Sequence, residues 1–210
     1  MIRGIDVSAW QGRSIDWARV AADGIAYVYV KASEGASGGQ PTFAVDVAGA
    51  KAAGLIVGAY HFAHQGNVSA QLANFRAASA LLGSNPGELP AMLDVERSPS
   101  PPDYLTASQL LDAIESAWEC IPLVYGGKDY LWPLGLDAHC PLMIAAYPPE
   151  LQKTWPTDAT AIPTLLPWGR PTFWQFSDKC YDLPGAGPCD SSVFLGTADD
   201  LKAFCAGSRV

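Results

Sequence analysis

The chain has 210 residues, of which 49% are hydrophobic and 16% are charged, and this composition excludes a disordered tail or a coiled coil. With 13 basic and 21 acidic residues the net charge is −8, which argues against nucleic acid as a partner because phosphate backbones bind basic patches. No run reaches the roughly 18–20 consecutive apolar residues of a membrane helix, so we expect no membrane partner.

Short runs rich in β-branched and aromatic residues alternate with helical patterns along the chain. Strands are predicted, in chain order, at residues 2–7, 25–31, 55–61, 90–96, 122–125, 142–146 and 172–176. Helices are predicted between the first five of them, at residues 14–22, 43–53, 69–82 and 105–119. The strands begin about 20–35 residues apart, which is the length of one strand–helix unit.

Strands that alternate with helices predict a mostly parallel sheet with right-handed connections. Seven or eight such units in 210 residues indicate an α/β barrel smaller than the standard (β/α)8 barrel of roughly 250 residues. Six prolines between residues 148 and 171 predict irregular loops there, and we expect an antiparallel hairpin over residues 172–194 to close the sheet. No linker divides the chain, so residues 1–210 are predicted to form one domain. The alternative is an open nucleotide-binding sheet, but the glycines at 35–39 lack the GxGxxG spacing.

Functional residues of parallel α/β folds gather at the carboxyl ends of the strands. The strongest signal there is Asp94-Val95-Glu96, because residues two apart on a strand point to the same side. Repulsion between two such carboxylates raises the pKa of one, which makes it a proton donor near neutral pH. With Asp6 at the corresponding end of the first strand, the pair predicts cleavage of a glycosidic bond. The alternative is two solvated acids at an exposed strand end.

Aromatic residues follow the same strand ends, where they are placed to stack on sugar rings. The candidates are Trp10, Tyr60, Phe62, Tyr125, Tyr147 and Trp174, with Gln175 beside the last of them. Most aromatic side chains fill the space between helices and sheet, and packing is the alternative for each candidate. We assign Trp17, Trp118, Trp132 and Phe43 to packing.

Other chemistries find little support in the sequence. GxSxG is absent, and neither Ser8 nor Ser33 has an obvious partner histidine, which argues against a Ser or Cys nucleophile. We expect no metal site and no cofactor, because no CxxC or HxxxH pair exists. His61 and His64 are assigned to packing or hydrogen bonding. Of the five cysteines, Cys180 and Cys189 bracket one loop and can meet across a hairpin, and whether they are bridged stays open.

These residues together resemble family 25 of the glycoside hydrolases, the Chalaropsis-type lysozymes or N-acetylmuramidases. The matching segments occur in the family's order and extend over nearly the whole chain. They are residues 4–12 (GIDVSAWQG), 30–35 (VKASEG), 53–62 (AGLIVGAYHF), 93–96 (LDVE), 124–125 (VY), 145–147 (AAY), 174–176 (WQF) and 189–194 (CDSSVF). The sequence departs from the family at Met143 and Phe176, where Trp and Tyr are frequent.

The resemblance implies a small, flattened, incomplete (β/α)8-like barrel with an acidic groove. It implies hydrolysis of the β-1,4 bond between N-acetylmuramic acid and N-acetylglucosamine in peptidoglycan strands. Glu96 would be the general acid, and Asp94 would assist by orienting the substrate's 2-acetamido group. Asp6 and Asp190 would shape the electrostatics of the site, and Glu34 would support substrate binding. The alternatives are a glycan-binding barrel without turnover and a hydrolase of another amino-sugar polysaccharide.

The first six residues enter a strand at once, without the charged and apolar segments of a secretory signal. This favours a phage lysin that waits in the host cytoplasm before it reaches the cell wall, or a bacterial enzyme that leaves by another route. No exposed apolar stripe stands out, so we expect a monomer.

Overall fold

Eight strands form a closed barrel in the computed structural model, which describes residues 1–12, 15–83, 87–151, 154–158, 160–180 and 183–207. The strands are β1 (Ile2–Val7), β2 (Tyr27–Glu34), β3 (Gly38–Gly39), β4 (Ile56–Phe62), β5 (Met92–Asp94), β6 (Leu123–Gly127), β7 (Leu142–Ala145), β8 (Phe173–Cys180) and β9 (Cys189–Phe194). The α-helices are α1 (Trp17–Ala22), α2 (Phe43–Ala52), α3 (Val68–Ser79), α4 (Tyr104–Trp118), α5 (Lys128–Leu134) and α6 (Ala198–Cys205).

The ring runs β1-β9-β8-β7-β6-β5-β4-β2 and closes because β2 pairs in parallel with β1, where Gly4 lies opposite Tyr27. Strand β9 runs antiparallel to both of its neighbours, so the predicted closing hairpin is present. The two-residue β3 pairs with the end of β2, outside the ring. The predicted α/β barrel is confirmed. Within the described residues, no helix has the length and apolarity needed to cross a bilayer.

The element bounds follow the predictions closely in the first half of the chain. Strand β1 has the predicted limits, whereas α1 begins at Trp17, after Asp16 accepts a hydrogen bond from the backbone N–H of Arg19. Ser14, the predicted start of this helix, lies outside the described residues. Strand β5 is three residues long instead of seven. Beyond it, Val95 still donates a backbone hydrogen bond to Tyr125, at 2.9 Å, so the chain stays extended toward the end of the barrel.

Two helices were not predicted. Helix α5 contains Pro133 within seven residues, and α6 follows the last predicted strand. The proline-rich part after Tyr147 is mainly turns and irregular chain in its described residues, with a single 3-10 turn at Pro149–Leu151, as predicted. Strands β8 and β9 place Cys180 opposite Cys189, but the side chain of Cys180 lies outside the described part, so whether the two are bridged stays open.

Two hydrophobic layers hold the barrel. The alternation of side chains on the strands puts Met92 inside the barrel, while Leu93 and Val95 pack in the outer layer against the helices. Tyr27 and Tyr29, two residues apart on β2, share the inner face. A Cβ atom at Gly4 would lie 2.1 Å from the ring of Tyr27, so glycine is required there for the tyrosine to fill the interior. This inner packing supports the strand ends that carry the acids.

Candidate active site

Four acidic side chains meet near the carboxyl ends of the parallel strands. Asp6 on β1 and Asp190 on β9 are register partners, and Asp94 is the last residue of β5, two residues before Glu96. Burial raises the pKa of Asp94 most strongly, and the charges of Glu96, Asp6 and Asp190 raise it further. The four carboxyl groups therefore lie within electrostatic range of one another.

Asp6 and Asp190 form a hydrogen-bonded acid pair. Asp6 is 6% exposed, and burial together with the charge of Asp190 holds its pKa well above the ordinary value. Burial raises the pKa of Asp190 to about 6, although the hydrogen bond with Asp6 lowers it. Both pKa values are raised, so the hydrogen-bonded pair holds one proton between its two carboxyl groups and carries one negative charge.

Asp94 and Glu96 differ in their surroundings. Asp94 is 5% exposed, and its Oδ1 is a buried oxygen without a hydrogen-bond partner among the described residues. Glu96 is half-buried. Burial raises the pKa of Glu96, and this outweighs the lowering by the neighbouring Tyr125 hydroxyl and by the charge of Lys31. Such a carboxyl group at a cleft is suited to donate a proton near neutral pH.

Gln175 connects the acid pair to two tyrosines. Its side chain is fully buried, and its Nε2 donates to Asp6 Oδ2 at 2.9 Å. Its Oε1 accepts from the hydroxyls of Tyr125, at 2.8 Å, and Tyr147, at 2.5 Å. Two phenol donors on the oxygen fix which way the amide points, so the nitrogen must face Asp6. The sequence pattern predicts Gln175 as a substrate ligand, whereas both ends of its amide hydrogen-bond to protein partners.

Lys31 is a cation of the site that the sequence analysis did not single out. Its Nζ lies 2.7 Å from Glu34 Oε2 and 4.6 Å from the centre of the Phe62 ring. Against the dominant effect of burial, its charge lowers the pKa of both Asp94 and Glu96. Lys31 follows Tyr29 by two positions on β2, so the two side chains point to the same inner face. This spacing is the signal that could have identified Lys31 in the sequence.

Glu34 is held between two basic side chains. Its second oxygen, Oε1, lies 3.0 Å from His64 Nε2, opposite the contact with Lys31. Burial raises the pKa of Glu34, but the hydrogen bonds and charges of Lys31 and His64 lower it by more. Glu34 is therefore ionised and fixes Lys31 in place, a supporting arrangement beside the four acids.

His61 is part of the packing, as predicted. It is fully buried, with Nδ1 at 2.8 Å from the Ser33 hydroxyl and Nε2 at 3.3 Å from Gln71 Oε1. Because Gln71 Oε1 can only accept, Nε2 carries the proton and Nδ1 accepts from Ser33. Burial lowers the pKa of His61 to about 4, so the ring is neutral near pH 7.

The predicted aromatic candidates other than Trp174 lie in different surroundings. Tyr60 lies inside the barrel near the four acids, whose charges raise its pKa after the larger effect of burial. Phe62 lies beneath Lys31, while Trp10, 94% exposed, stands on a short turn just after β1. Tyr125 and Tyr147 belong to the Gln175 network.

Two predictions about tryptophans are wrong. Trp174 does not line the site, because its neighbour Gln175 points inward and Trp174 therefore points into the outer layer, fully buried. Its Nε1 donates to the carbonyl of Ala146 at 2.8 Å. Trp132, assigned to packing, is 55% exposed on α5. Trp17, Trp118 and Phe43 pack against the outer layer as predicted.

An open cleft of about 440 Å³ lies beside Glu96. Its lining consists of Glu96, Arg97, Gly127, Asp129, Tyr130, Ala145, Ala146 and Tyr147. A smaller cavity of about 220 Å³, between Trp168 and Phe204, lies where β5, β6 and β7 begin and has no acid in its lining. Within the ranges that the structure describes, no group of three or more His, Cys, Asp or Glu side chains is placed to hold a metal ion. A barrel with clustered acids, one of which has a raised pKa and lies at a cleft, has the architecture of a glycoside hydrolase.

Comparisons with known proteins agree with this class. The family model of Glycosyl hydrolases family 25 matches residues 5–185. Lysozyme M1 of Streptomyces globisporus is 31% identical over 220 residues, 97% of this chain and 71% of that protein. N,O-diacetylmuramidase of Chalaropsis sp is 29% identical over 220 residues, 98% of this chain and all of that protein. The structure of muramidase from Acremonium alcalophilum has a TM-score of 0.81 at 30% identity, covering 99% of this chain and 100% of that one.

The chain belongs to family 25 of the glycosyl hydrolases. The resemblance read from the sequence motifs is confirmed.

Proposed function

We propose that the protein is a lysozyme that hydrolyses the β-1,4 bond between N-acetylmuramic acid and N-acetylglucosamine in peptidoglycan. The observation that carries the proposal is the pair at the end of β5. Glu96 has a raised pKa at the cleft, and the buried oxygen Oδ1 of Asp94 has no hydrogen-bond partner in the part of the chain that the structure describes. The relatives named lysozyme and N,O-diacetylmuramidase support the substrate class. The bacterial cell wall is then the place of action.

In the first step, Glu96 donates its proton to the glycosidic oxygen while the bond between that oxygen and the sugar C1 breaks. The carboxyl group of Asp94 accepts a hydrogen bond from the N–H of the substrate's 2-acetamido group. This contact turns the acetamido carbonyl oxygen toward C1, where it forms a bond and closes a ring. The leaving sugar departs with the proton of Glu96, and Glu96 becomes a carboxylate.

In the second step, water attacks C1 and opens the ring formed by the acetamido group. The carboxylate of Glu96 takes a proton from this water, which restores the acid for the next cycle. The positive charge that develops at the sugar is stabilised by the single negative charge shared by Asp6 and Asp190. Gln175 and the two tyrosines hold that pair in place.

The surroundings of the acids supply the remaining contacts to the glycan. Tyr147 lines the cleft, Tyr60 and Tyr125 lie close to the acids, and Phe62 lies beneath Lys31, which Glu34 holds in place. Trp10 offers an exposed ring just after β1. Trp174 is left out, since it faces the outer layer. We propose a monomer without a cofactor that takes peptidoglycan strands as its partner.

Replacing Glu96 with Gln tests the acid role. The amide keeps the size and cannot donate an acidic proton, so we expect release of reducing ends from purified peptidoglycan to fall at least about 100-fold. Glu88→Gln, which alters an acid before the start of β5, is the matched control and retains the wild-type rate. Circular dichroism and thermal unfolding verify that both variants fold.

The products distinguish the proposed activity from its alternatives. Mass spectrometry of wild-type digests is expected to find new chain ends that are reducing N-acetylmuramic acid. Reducing N-acetylglucosamine ends would mean that the enzyme cuts the other bond, and cleavage of chitin alone would mean another polysaccharide. Binding of glycan without any new ends would identify a binding barrel, and full activity of Glu96→Gln would refute the assignment of the acid.

A further inference from the structure

A second crevice continues from the cleft along helix α5. It has a volume of about 600 Å³ and is lined by Lys128, Asp129, Trp132, Pro133, Ala145 and Ala146. Three of these residues, Asp129, Ala145 and Ala146, also line the cleft beside Glu96. The two openings are therefore one trough that leads from Glu96 to Trp132.

The start of α5 explains this continuity. Strand β6 ends at Gly127 and α5 begins with the next residue, so the first turn of the helix stands at the carboxyl end of the barrel. Asp129 and Trp132 are three residues apart and share one face of the helix. Three residues separate them by about 4.5 Å along the axis, which is comparable with the length of one sugar ring. Trp132 therefore lies about one sugar length further along the trough from the acids than Asp129.

The floor of the trough is made of small side chains on a fixed backbone. Ala146 donates its backbone N–H to the carbonyl of Gln175 at 3.0 Å and accepts from Trp174 Nε1 at 2.8 Å. Alanine at positions 145 and 146 leaves the width of the trough open. The buried Trp174 thus fixes the backbone of this floor through its hydrogen bond to Ala146, although its side chain does not line the trough.

The chemistry of the trough fits a sugar ring. Trp132 is 55% exposed and Pro133 lies next to it, which gives an apolar wall. Lys128 and Asp129 supply a cation and a carboxylate along the same edge. A pyranose has apolar C–H faces that stack on an indole and hydroxyls that bind charged groups, so its two kinds of surface match the two kinds of wall.

We propose that Trp132 forms a distal subsite, which holds a sugar ring of the glycan strand beyond the two rings that flank the cleaved bond. The occupant is a further sugar of the same substrate, because the trough is continuous with the cleft that contains Glu96. The inference rests on the proposed function. It assigns to Trp132 a role in affinity for long glycans and none in the chemical step.

The test measures how affinity depends on glycan length. In a Glu96→Gln background, isothermal titration calorimetry with alternating N-acetylglucosamine–N-acetylmuramic acid fragments of two, four, six and eight sugars gives Kd as a function of length. Trp132→Ala is expected to raise the Kd of the longest fragments about tenfold, which equals about 1.4 kcal/mol, and to leave the shortest fragment that binds unchanged. Trp132→Phe, which keeps a ring face, retains most of the affinity.

Tyr104→Ala is the matched control, because Tyr104 is an aromatic residue of similar exposure, 50%, that lines neither part of the trough. The subsite is wrong if Trp132→Ala binds the longest fragment as tightly as its parent, if it loses the same factor at every length, or if the parent binds no fragment. A failure of the proposed function has a different result in the cleavage assay. Glu96→Gln would then keep cleaving peptidoglycan, whatever effect Trp132→Ala has on the Kd values.

Discussion

The orientation of Gln175 makes a pH-dependent prediction for a single substitution. In Gln175→Glu the carbonyl oxygen can still accept from Tyr125 and Tyr147, as it does at 2.8 Å and 2.5 Å in the wild type. The amide nitrogen that donates to Asp6 becomes an oxygen, which donates only when the new carboxyl group is protonated. The protonated variant therefore reproduces all three hydrogen bonds, and the ionised variant loses one and places a second charge beside Asp6.

The magnitude follows from the pKa of glutamic acid in the unfolded chain, about 4.3. In the folded variant the site is fully buried and next to two acids, so the pKa of the new carboxyl group lies well above that value. A group with a raised folded-state pKa contributes its full stability below the unfolded pKa and loses it as the pH rises. The variant should lose about 1.4 kcal/mol of unfolding free energy per pH unit above about 4.3, and at most about 4 kcal/mol at pH 7.

Urea denaturation of wild type and variant between pH 4 and pH 7.5 measures this difference directly. Subtracting the wild-type curve removes the titration of the other acids, which both proteins share. Gln109→Glu is the control, since Gln109 is exposed on α4 and its difference curve should be nearly flat. A flat difference curve for Gln175→Glu would refute the reasoning, because it would mean that the new carboxyl group titrates alike in the folded and unfolded chains.

Two further predictions concern the basic residues His61 and Lys31. His61 is neutral in the fold with a pKa of about 4, below the ordinary 6.5, so the unfolded chain binds its proton first as the pH falls between these values. This residue should lower the unfolding free energy by about 3 kcal/mol between pH 6.5 and pH 4, and the decrease should be absent in His61→Gln. Urea denaturation across this pH range measures both proteins. An equal dependence of the unfolding free energy on pH in both would contradict the assignment of a neutral His61. Lys31→Met removes the cation that lowers the pKa of Asp94 and Glu96 against the larger, raising effect of burial, so both pKa values should rise. The alkaline limb of kcat/KM should then move up by roughly one pH unit, whereas an unchanged limb would show that Lys31 does not act on the proton donor.

Local patterns in the sequence contain much of this fold and site. Short runs of β-branched and aromatic residues, which alternate with helical patterns along the chain, locate seven of the barrel strands. A strand buried on both faces needs apolar residues along its whole length. The spacing of Asp94 and Glu96 places both at the same strand end, and the acids at positions 6 and 190 belong to motifs that appear in the family's order. The sequence did not reveal α5, because Pro133 lies within it and its seven residues show too short a period.

What the tertiary structure decided is which neighbour each side chain meets. Trp174 and Gln175 are adjacent in the chain, yet one lies in the outer layer and the other lies among the acids, because the strand's phase relative to the barrel is set by pairing with β7 and β9. The sharing of a proton between Asp6 and Asp190 likewise depends on the register of two strands that are distant in sequence. Composition and periodicity determine the kind of surface a segment presents, whereas burial, register and the distances between charges arise only when the barrel closes.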